Sequence, residues 1–369
     1  MKSDAVKSKA AKRVTLSGYY GFGNAGDEAV LAGLAAGFRA VCPAGELELI
    51  ALSGYPAETR TTHGISAADR MKPGPLIAAI ARTDLFLSGG GSLLQDVTSA
   101  HSIFYYLGVV RMAQLLGKKT MFAAQGIGPL TLPRSRRLVA SVANRLDAIT
   151  VRDGDSAKLL REIGVSRPVI EVTADPALLL TPIETGRGSS SFGIALRAWP
   201  GQELLANQVA EACSWALGES RPLLFPMMPQ NDLGPAEQFA AKWHQVTQQA
   251  SKAVVCSAQE GLPSLLVNIH SCEMMVGMRL HALILAAACG VPSVALAYDP
   301  KVAAFMASCG QADAVYDLSR PGPNALTALI SRLWSERLVR AEALQAVLPP
   351  LRTLAARNIG AALELLSLS

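Results

Sequence analysis

The stretch Arg13-Val14-Thr15-Leu16-Ser17-Gly18-Tyr19-Tyr20-Gly21-Phe22-Gly23-Asn24-Ala25-Gly26-Asp27-Glu28 decides the fold, because a short apolar run ends in a glycine-rich loop and an Ala/Leu-rich helical pattern follows it. A strand buried on both faces, a polar turn and a covering helix make the unit of a parallel sheet. The unit recurs along the chain. Arg13–Tyr19, Leu47–Leu52, Leu85–Ser88, Thr120–Ala124, Ala148–Arg152 and Ile170–Thr173 read as the six strands of one doubly wound sheet. A second set reads as Phe192–Arg197, Leu223–Met227, Ala253–Cys256, Glu273–Gly277, Ser293–Ala297 and Ala314–Asp317.

Between the two sets, from Leu180 to Phe192, the composition shifts to Thr, Pro, Gly, Arg and Ser, which marks a linker. Beyond Pro321, Asn324–Arg340 and Leu351–Leu366 look helical, and Pro349-Pro350 predicts a break between them. The expected fold class is therefore α/β with two Rossmann-like doubly wound domains. The expected division is a basic N-terminal tail (1–12), an N-terminal Rossmann-like domain (13–183), a linker (184–191), a C-terminal Rossmann-like domain (192–340) and a C-terminal helical segment (341–369).

At 369 residues, half of them apolar and 17% charged, the chain has the material for two buried parallel sheets and is far from a disordered composition. The formal charge of +5 is spread along the sequence, so nucleic acid is not an expected partner. Only Lys2, Lys7, Lys9, Lys12 and Arg13 gather. A solvated leader is the first reading of that tail, and peripheral contact with an anionic inner-membrane surface is its alternative. The longest uncharged stretch, Ala282 to Tyr298, is interrupted by Gly290 and Pro292 and is too short to span a bilayer. Cys42, Cys213, Cys256, Cys272, Cys289 and Cys309 are scattered without metal-ligand spacing and read as buried thiols of a cytoplasmic protein.

Ligands of an open parallel sheet bind beyond the carboxyl ends of its strands, so the residues that follow each strand carry the chemistry. After the first strand the loop Gly18–Glu28 enters a helix near Asp27, which either caps that helix or binds substrate. Gly21, Gly23 and Gly26 match a dinucleotide fingerprint in spacing, but Asp27 and Glu28 put negative charge where a pyrophosphate would sit, and no acid ends the second strand. A nicotinamide site is not expected. After the third strand comes Ser88-Gly89-Gly90-Gly91-Ser92-Leu93-Leu94-Gln95-Asp96, after the fourth Gln125-Gly126-Ile127-Gly128-Pro129, and after the fifth Arg152-Asp153. In the second set, Val276-Gly277-Met278-Arg279-Leu280-His281 places a guanidinium fork for a carboxylate or phosphate two residues before a histidine able to exchange a proton. Lys301, oriented by Asp299, and Arg197 are further candidate cations, and a lysine on a surface loop is the plainer reading of Lys301.

Gly21–Ala29 (GFGNAGDEA), Ser88–Asp96 (SGGGSLLQD), Ala124–Pro129 (AQGIGP), Thr150–Asp153 (TVRD), Thr173–Pro176 (TADP) and Val276–His281 (VGMRLH), with Tyr298–Val302 after them, together resemble the polysaccharide pyruvyl transferase family, in particular the CsaB-type enzymes of cell-wall polymer pyruvylation. The resemblance runs from about Thr15 to Val302, with Met278 where family members often carry Thr. It implies a glycosyltransferase-B-like architecture, phosphoenolpyruvate as donor substrate, a glycan or lipid-linked saccharide as acceptor, and no cofactor or metal. It further implies catalytic roles for His281 and Arg279 and donor binding by Arg279 and Leu280, with Arg152 or Arg197 as the second arginine, and the residues themselves add Lys301 as another donor-binding cation. Acceptor binding is expected of Asn24, Asp27, Gly90, Gly91, Ser92, Gln95 and Gln125. Two other classes fit the same loops: a glycosyltransferase or sugar-nucleotide epimerase, and a non-catalytic sensor of an anionic metabolite.

Overall fold

A computed structural model of the chain describes residues 11–97, 100–181, 190–217, 220–248, 253–256, 261–320, 322 and 324–368. Residues 1–10 of the expected tail and 182–189, which include most of the expected linker, lie outside the described residues. The chain forms two compact units. The first comprises the chain up to Phe22, Leu31–Thr173 and the chain from Ala356; the second comprises Gly23–Val30 and Ala174–Ala355.

The first unit is a seven-stranded parallel sheet in the order β3-β2-β1-β4-β5-β6-β7. Its strands are β1 (Lys12–Tyr20), β2 (Leu47–Ser53), β3 (Ser66–Asp69), β4 (Leu85–Gly89), β5 (Lys119–Gln125), β6 (Ala148–Val151) and β7 (Ile170–Val172). Six match the sequence reading and β3 is additional. Ser-Ala-Ala-Asp has no β-branched or aromatic residue and lies half-exposed at the sheet edge, so it carries no strand signal; pairing with β2 alone makes it a strand. Lys12, read as the end of the tail, is the first residue of β1 and hydrogen-bonds Glu46. All of β4 is buried, and Phe86, Phe122, Ile103 and Leu107 belong to the core around it. The helix α4 (Ala100–Leu115) follows β4.

The second unit holds a six-stranded parallel sheet in the order β10-β9-β8-β11-β12-β13. These strands are β8 (Ser191–Ala195), β9 (Arg221–Leu224), β10 (Val254–Val255), β11 (Met274–Gly277), β12 (Ser293–Ala297) and β13 (Val315–Asp317), and all six correspond to expected strands. In each sheet the winding reverses once, between β1 and β4 in the first and between β8 and β11 in the second. Such a reversal leaves a crevice beyond the two strand ends, where ligands of this architecture bind.

The expected break at Pro349-Pro350 is absent: α13 runs continuously over Arg337–Leu366 with both prolines inside it. Two prolines remove two backbone donors, but Leu344, Leu348, Leu351 and Ala355 form a buried stripe at helical spacing through this stretch, and that packing outweighs the local cost. Further along α13, the fully buried Asn358 accepts hydrogen bonds from Thr150 and Thr173 in the first unit. No described helix is long and apolar enough to cross a membrane. Five cysteines are buried and Cys42 is half-buried; burial raises the Cys289 thiol pKa to about 12 and that of Cys309 to about 11.

Candidate functional site

In the second unit the two strands at the winding reversal each lead to an arginine. Gly277 at the end of β11 pairs with Ala195 at the end of β8, and each strand continues by two residues to an arginine, Arg279 and Arg197. Arg279 is the N-cap of α10 (Leu280–Ala288), a helix with no side-chain cap and an almost wholly buried apolar body. Its first-turn N–H groups and helix dipole suit an anion, and Leu280 and His281 occupy that turn.

Arg279 is held by a residue that sequence reasoning missed. Asp232, in the first turn of α8 (Pro229–Thr247), is fully buried and accepts from Arg279 Nε at 3.0 Å and from Arg279 Nη2, while the Met228 N–H donates to it at 2.8 Å. The clamp fixes the guanidinium through Nε and Nη2, and Nη1 makes no hydrogen bond among the described residues. The signal for Asp232 was an acid just beyond β9, on the same strand-end rim as the arginines.

His281 stands beside a second carboxylate, in the Thr173–Pro176 motif, to which the sequence reading gave no role. Asp175, buried, lies 3.5 Å from His281 Nε2 and also caps the 3-10 turn Pro176–Leu179 by accepting from the Ala177 N–H. The contact is an ion-pair approach without hydrogen-bond geometry, since Nε2 is buried with no hydrogen-bond partner among the described residues. The Nδ1 side of the imidazole lies against Gly26, where an added Cβ would lie 2.3 Å from Nδ1. Only glycine fits there.

Gly26 stands between Asn24 and Asp27, and the Ala25 N–H donates to Met227 O at 2.8 Å within the second unit. The helix here, α1 (Ala25–Val41), starts two residues before Asp27 and holds Gly26 in its first turn, and its cap is Asn24, whose side-chain oxygen accepts from the Gly26 N–H at 3.0 Å. Asp27 is therefore not the cap and is buried in the first turn.

The other two candidate cations of this unit differ. Arg197 lies over the rings of Trp199 and Tyr298, at 5.1 and 5.3 Å, and donates to the Tyr298 hydroxyl at 3.2 Å. It lines a cavity of about 370 Å³ with Trp199 and Gln238. Asp299 does not orient the Lys301 ammonium as expected: its carboxylate accepts the Lys301 backbone N–H at 2.9 Å and caps α11 (Pro300–Ser308).

The first unit assembles the remaining residues around β4, β5 and β6. Arg152, just past β6 and with its side chain 5% exposed, donates from Nη2 to Ser92 Oγ at 2.9 Å. Gly126 packs against that guanidinium, and its N–H donates to Gly91 O at 2.9 Å. Gly90 and Gly91 both have positive φ. β5 is irregular before Gln125: Ala124 has φ 47° and the register to β6 shifts there. The fully buried Gln125 side chain has neither amide atom hydrogen-bonded among the described residues. A strained backbone that delivers an unsatisfied amide marks a place that a ligand can complete. Gln95 instead accepts the Val97 N–H at 3.1 Å.

Asp96 shapes this rim. Burial raises its pKa, but hydrogen bonds from Thr131 N and Oγ1 and from Leu132 N outweigh burial and hold it below the ordinary carboxylate value. Its contribution to stability is therefore present above the ordinary value and is lost as pH falls through the lowered one. Asp96→Asn should cost about 1.5–3 kcal/mol at neutral pH and less in acid, read from urea midpoints at the two pH values. An equal loss at both would contradict this assignment.

Among the described residues no three His, Cys, Asp or Glu side chains group as a metal site.

Comparison with solved structures shows the fold. A putative UDP-N-acetylglucosamine 2-epimerase from Listeria monocytogenes aligns with a TM-score of 0.65 and 13% identity over 96% of each chain. A glycosyltransferase from Rickettsia africae gives 0.62 and 11%, covering 98% of this chain and 100% of that one. The UDP-GlcNAc 2-epimerase from Neisseria meningitidis, solved with UDP-GlcNAc, gives 0.61 and 12% over 96% and 99%. These place the chain in the glycosyltransferase-B-like α/β class. No curated protein matches the sequence significantly. The family profile described as polysaccharide pyruvyl transferase matches residues 24–300, three quarters of the chain, with the loops after β4, β5, β6 and β11 inside it, and the chain belongs to that family of transferases.

Proposed function

We propose that this protein transfers the pyruvyl group of phosphoenolpyruvate to two hydroxyls of a sugar in a cell-surface polysaccharide or its lipid-linked precursor, forming a ketal and releasing phosphate. The observation that carries the reading is the pair Arg279 and His281 at the uncapped start of α10, each set against a buried carboxylate. The donor is a dianionic phosphate beside a carboxylate, and it needs a fork and a helix amino end. Arg279 and the Leu280 turn supply both. Arg197, Arg152 and Lys301 are the candidates for the second cation, and Arg197 stands at the same strand crevice as Arg279.

The reaction needs one proton delivered to the methylene carbon of the donor and two removed from the acceptor hydroxyls. One hydroxyl oxygen bonds to the central carbon as the methylene becomes methyl; the second bonds as the carbon–oxygen bond to phosphate breaks and the phosphate departs with the remaining proton. His281 is assigned the proton transfers, with Asp175 fixing the ring on its Nε2 side. The Nδ1 edge faces Gly26, so the acceptor hydroxyls are assigned to the loop of Asn24 and Asp27. Gly90, Gly91, Ser92, Gln95 and Gln125 are assigned to the rest of the acceptor.

Arginines can meet the donor charge without a metal ion, so turnover is expected to survive exhaustive chelation. Loss on chelation with rescue by a divalent ion would overturn that expectation. A second reading, a glycosyltransferase or sugar-nucleotide epimerase, is favoured by Trp199 and Arg197 at the 370 Å³ cavity, where a nucleotide base could stack. A donor screen separates the two. Phosphate release from phosphoenolpyruvate that requires a glycan supports pyruvyl transfer; turnover of nucleotide sugars alone supports the second reading.

A further inference from the structure

The sequence has seven tyrosines, and five of them, Tyr19, Tyr20, Tyr55, Tyr105 and Tyr106, lie with Phe22 at one end of the first sheet. Tyr19 and Tyr20 are the last two residues of β1, Phe22 follows them, Tyr55 follows β2, and Tyr105 and Tyr106 reach the place from α4. The rings of Tyr19 and Phe22 stack at 4.6 Å, and Tyr55, 63% exposed, stands edge-on to Phe22 at 6.5 Å. Tyr55 is exposed, Tyr19, Phe22 and Tyr105 are half-buried, and Tyr20 and Tyr106 are buried beneath them, so the outer rings present apolar faces at a strand-end rim where this architecture binds ligands.

Beneath them is a buried cation. Arg70, directly after β3, is 6% exposed, and its guanidinium lies 4.4–5.3 Å from the rings of Phe22, Tyr105 and Tyr106. Nη1 donates to Gly18 O at 2.6 Å, Nε is buried with no hydrogen-bond partner, and no carboxylate pairs with the group among the described residues. A buried guanidinium is ordinarily matched by a carboxylate, and aromatic faces compensate only part of the missing charge.

We propose that this rim, with Arg70 under it, is a subsite for a sugar unit that carries an anionic group, a carboxylate or a phosphate. The sugar ring lies on Tyr55 and Phe22 and the anion turns toward Arg70. This inference rests on the reading of a saccharide acceptor. β1 is two strand spacings from β5, roughly 10 Å, so an oligosaccharide can occupy this subsite and the Gln125–Arg152 rim of the same sheet together.

The test is binding to the full chain without donor, followed by saturation-transfer NMR and titration. The probes are trigalacturonate, N-acetylglucosamine 1-phosphate and neutral galactotriose, with inorganic phosphate as the anion alone. At least one anionic saccharide should bind roughly tenfold tighter than galactotriose and than phosphate, with saturation on its ring protons, and which of the two binds identifies the anion as carboxylate or phosphate. Tyr55→Ala, at an exposed position, should weaken that binding roughly three- to tenfold, and Arg70→Lys should remove the preference for the charged probe. Equal binding of charged and neutral saccharides, binding by Tyr55→Ala and Phe22→Ala as tight as wild type, or binding of none of the saccharides would overturn the proposal. Because phosphoenolpyruvate is absent, failure of the donor reading leaves this result unaffected.

Discussion

His281→Ala is expected to lower turnover on phosphoenolpyruvate and a competent acceptor by about two to four orders of magnitude while donor binding is retained, the range for loss of a general acid or base. The imidazole is lodged between Asp175 and Gly26 rather than free at a surface, so its orientation is set before substrate arrives. That predicts a second, independent loss. In Gly26→Ala the new methyl must displace the ring, and turnover should fall by about two orders of magnitude with His281 still present. Asp175→Asn keeps the shape and removes the charge, and it should depress turnover without weakening donor affinity. Thermal unfolding of each variant separates these effects from loss of fold. A folded His281→Ala protein with near wild-type turnover would make the histidine structural and the assignment wrong.

Arg279→Ala should fail differently. Removing one charge-assisted contact is worth roughly 1.5–3 kcal/mol, or about one to two orders of magnitude in donor affinity. The same substitution leaves the fully buried Asp232 without its cation, and breaking a buried pair from one side costs about 3–5 kcal/mol of stability. Arg279→Ala and Asp232→Ala should therefore both unfold earlier than wild type. The Arg279→Met/Asp232→Leu double variant should recover much of that stability while donor binding stays lost. Asp232→Asn tests the positioning role: donor KM should rise with a smaller change in kcat. Donor affinity unchanged in Arg279→Ala, measured by calorimetry on folded protein, would remove the arginine from the donor site.

The sequence made most of both sheets legible because a strand buried on both faces is written as a short apolar stretch, as in the wholly buried β4, β8 and β11, and twelve of thirteen strands fall on stretches read that way. The exception, Ser66–Asp69, is an edge strand made by its neighbour. The helix through Pro349-Pro350 was illegible for the converse reason, since a buried leucine stripe overrides two local breakers. At the site, the loops after β1, β4, β5, β6 and β11 were found because glycine, arginine and histidine at strand ends stand out. Asp232 was not, and Asp175, though inside the Thr173–Pro176 motif, had no role assigned, because a carboxylate that serves another side chain looks in sequence like an ordinary helix-start acid, and both do occupy the first turn or cap of a helical element. The contact of Gly26 with His281 joins residues 255 positions apart and has no local signature.

The central claim is tested most directly by following phosphoenolpyruvate labelled with carbon-13 at its central carbon, incubated with the purified protein and a panel of free and lipid-linked glycans. The account predicts that the label appears as a quaternary ketal carbon bonded to two oxygens of the acceptor, in equal amount to the phosphate released and only when protein, donor and glycan are all present. No label in any glycan, together with turnover of a nucleotide sugar by the same preparation, would contradict it.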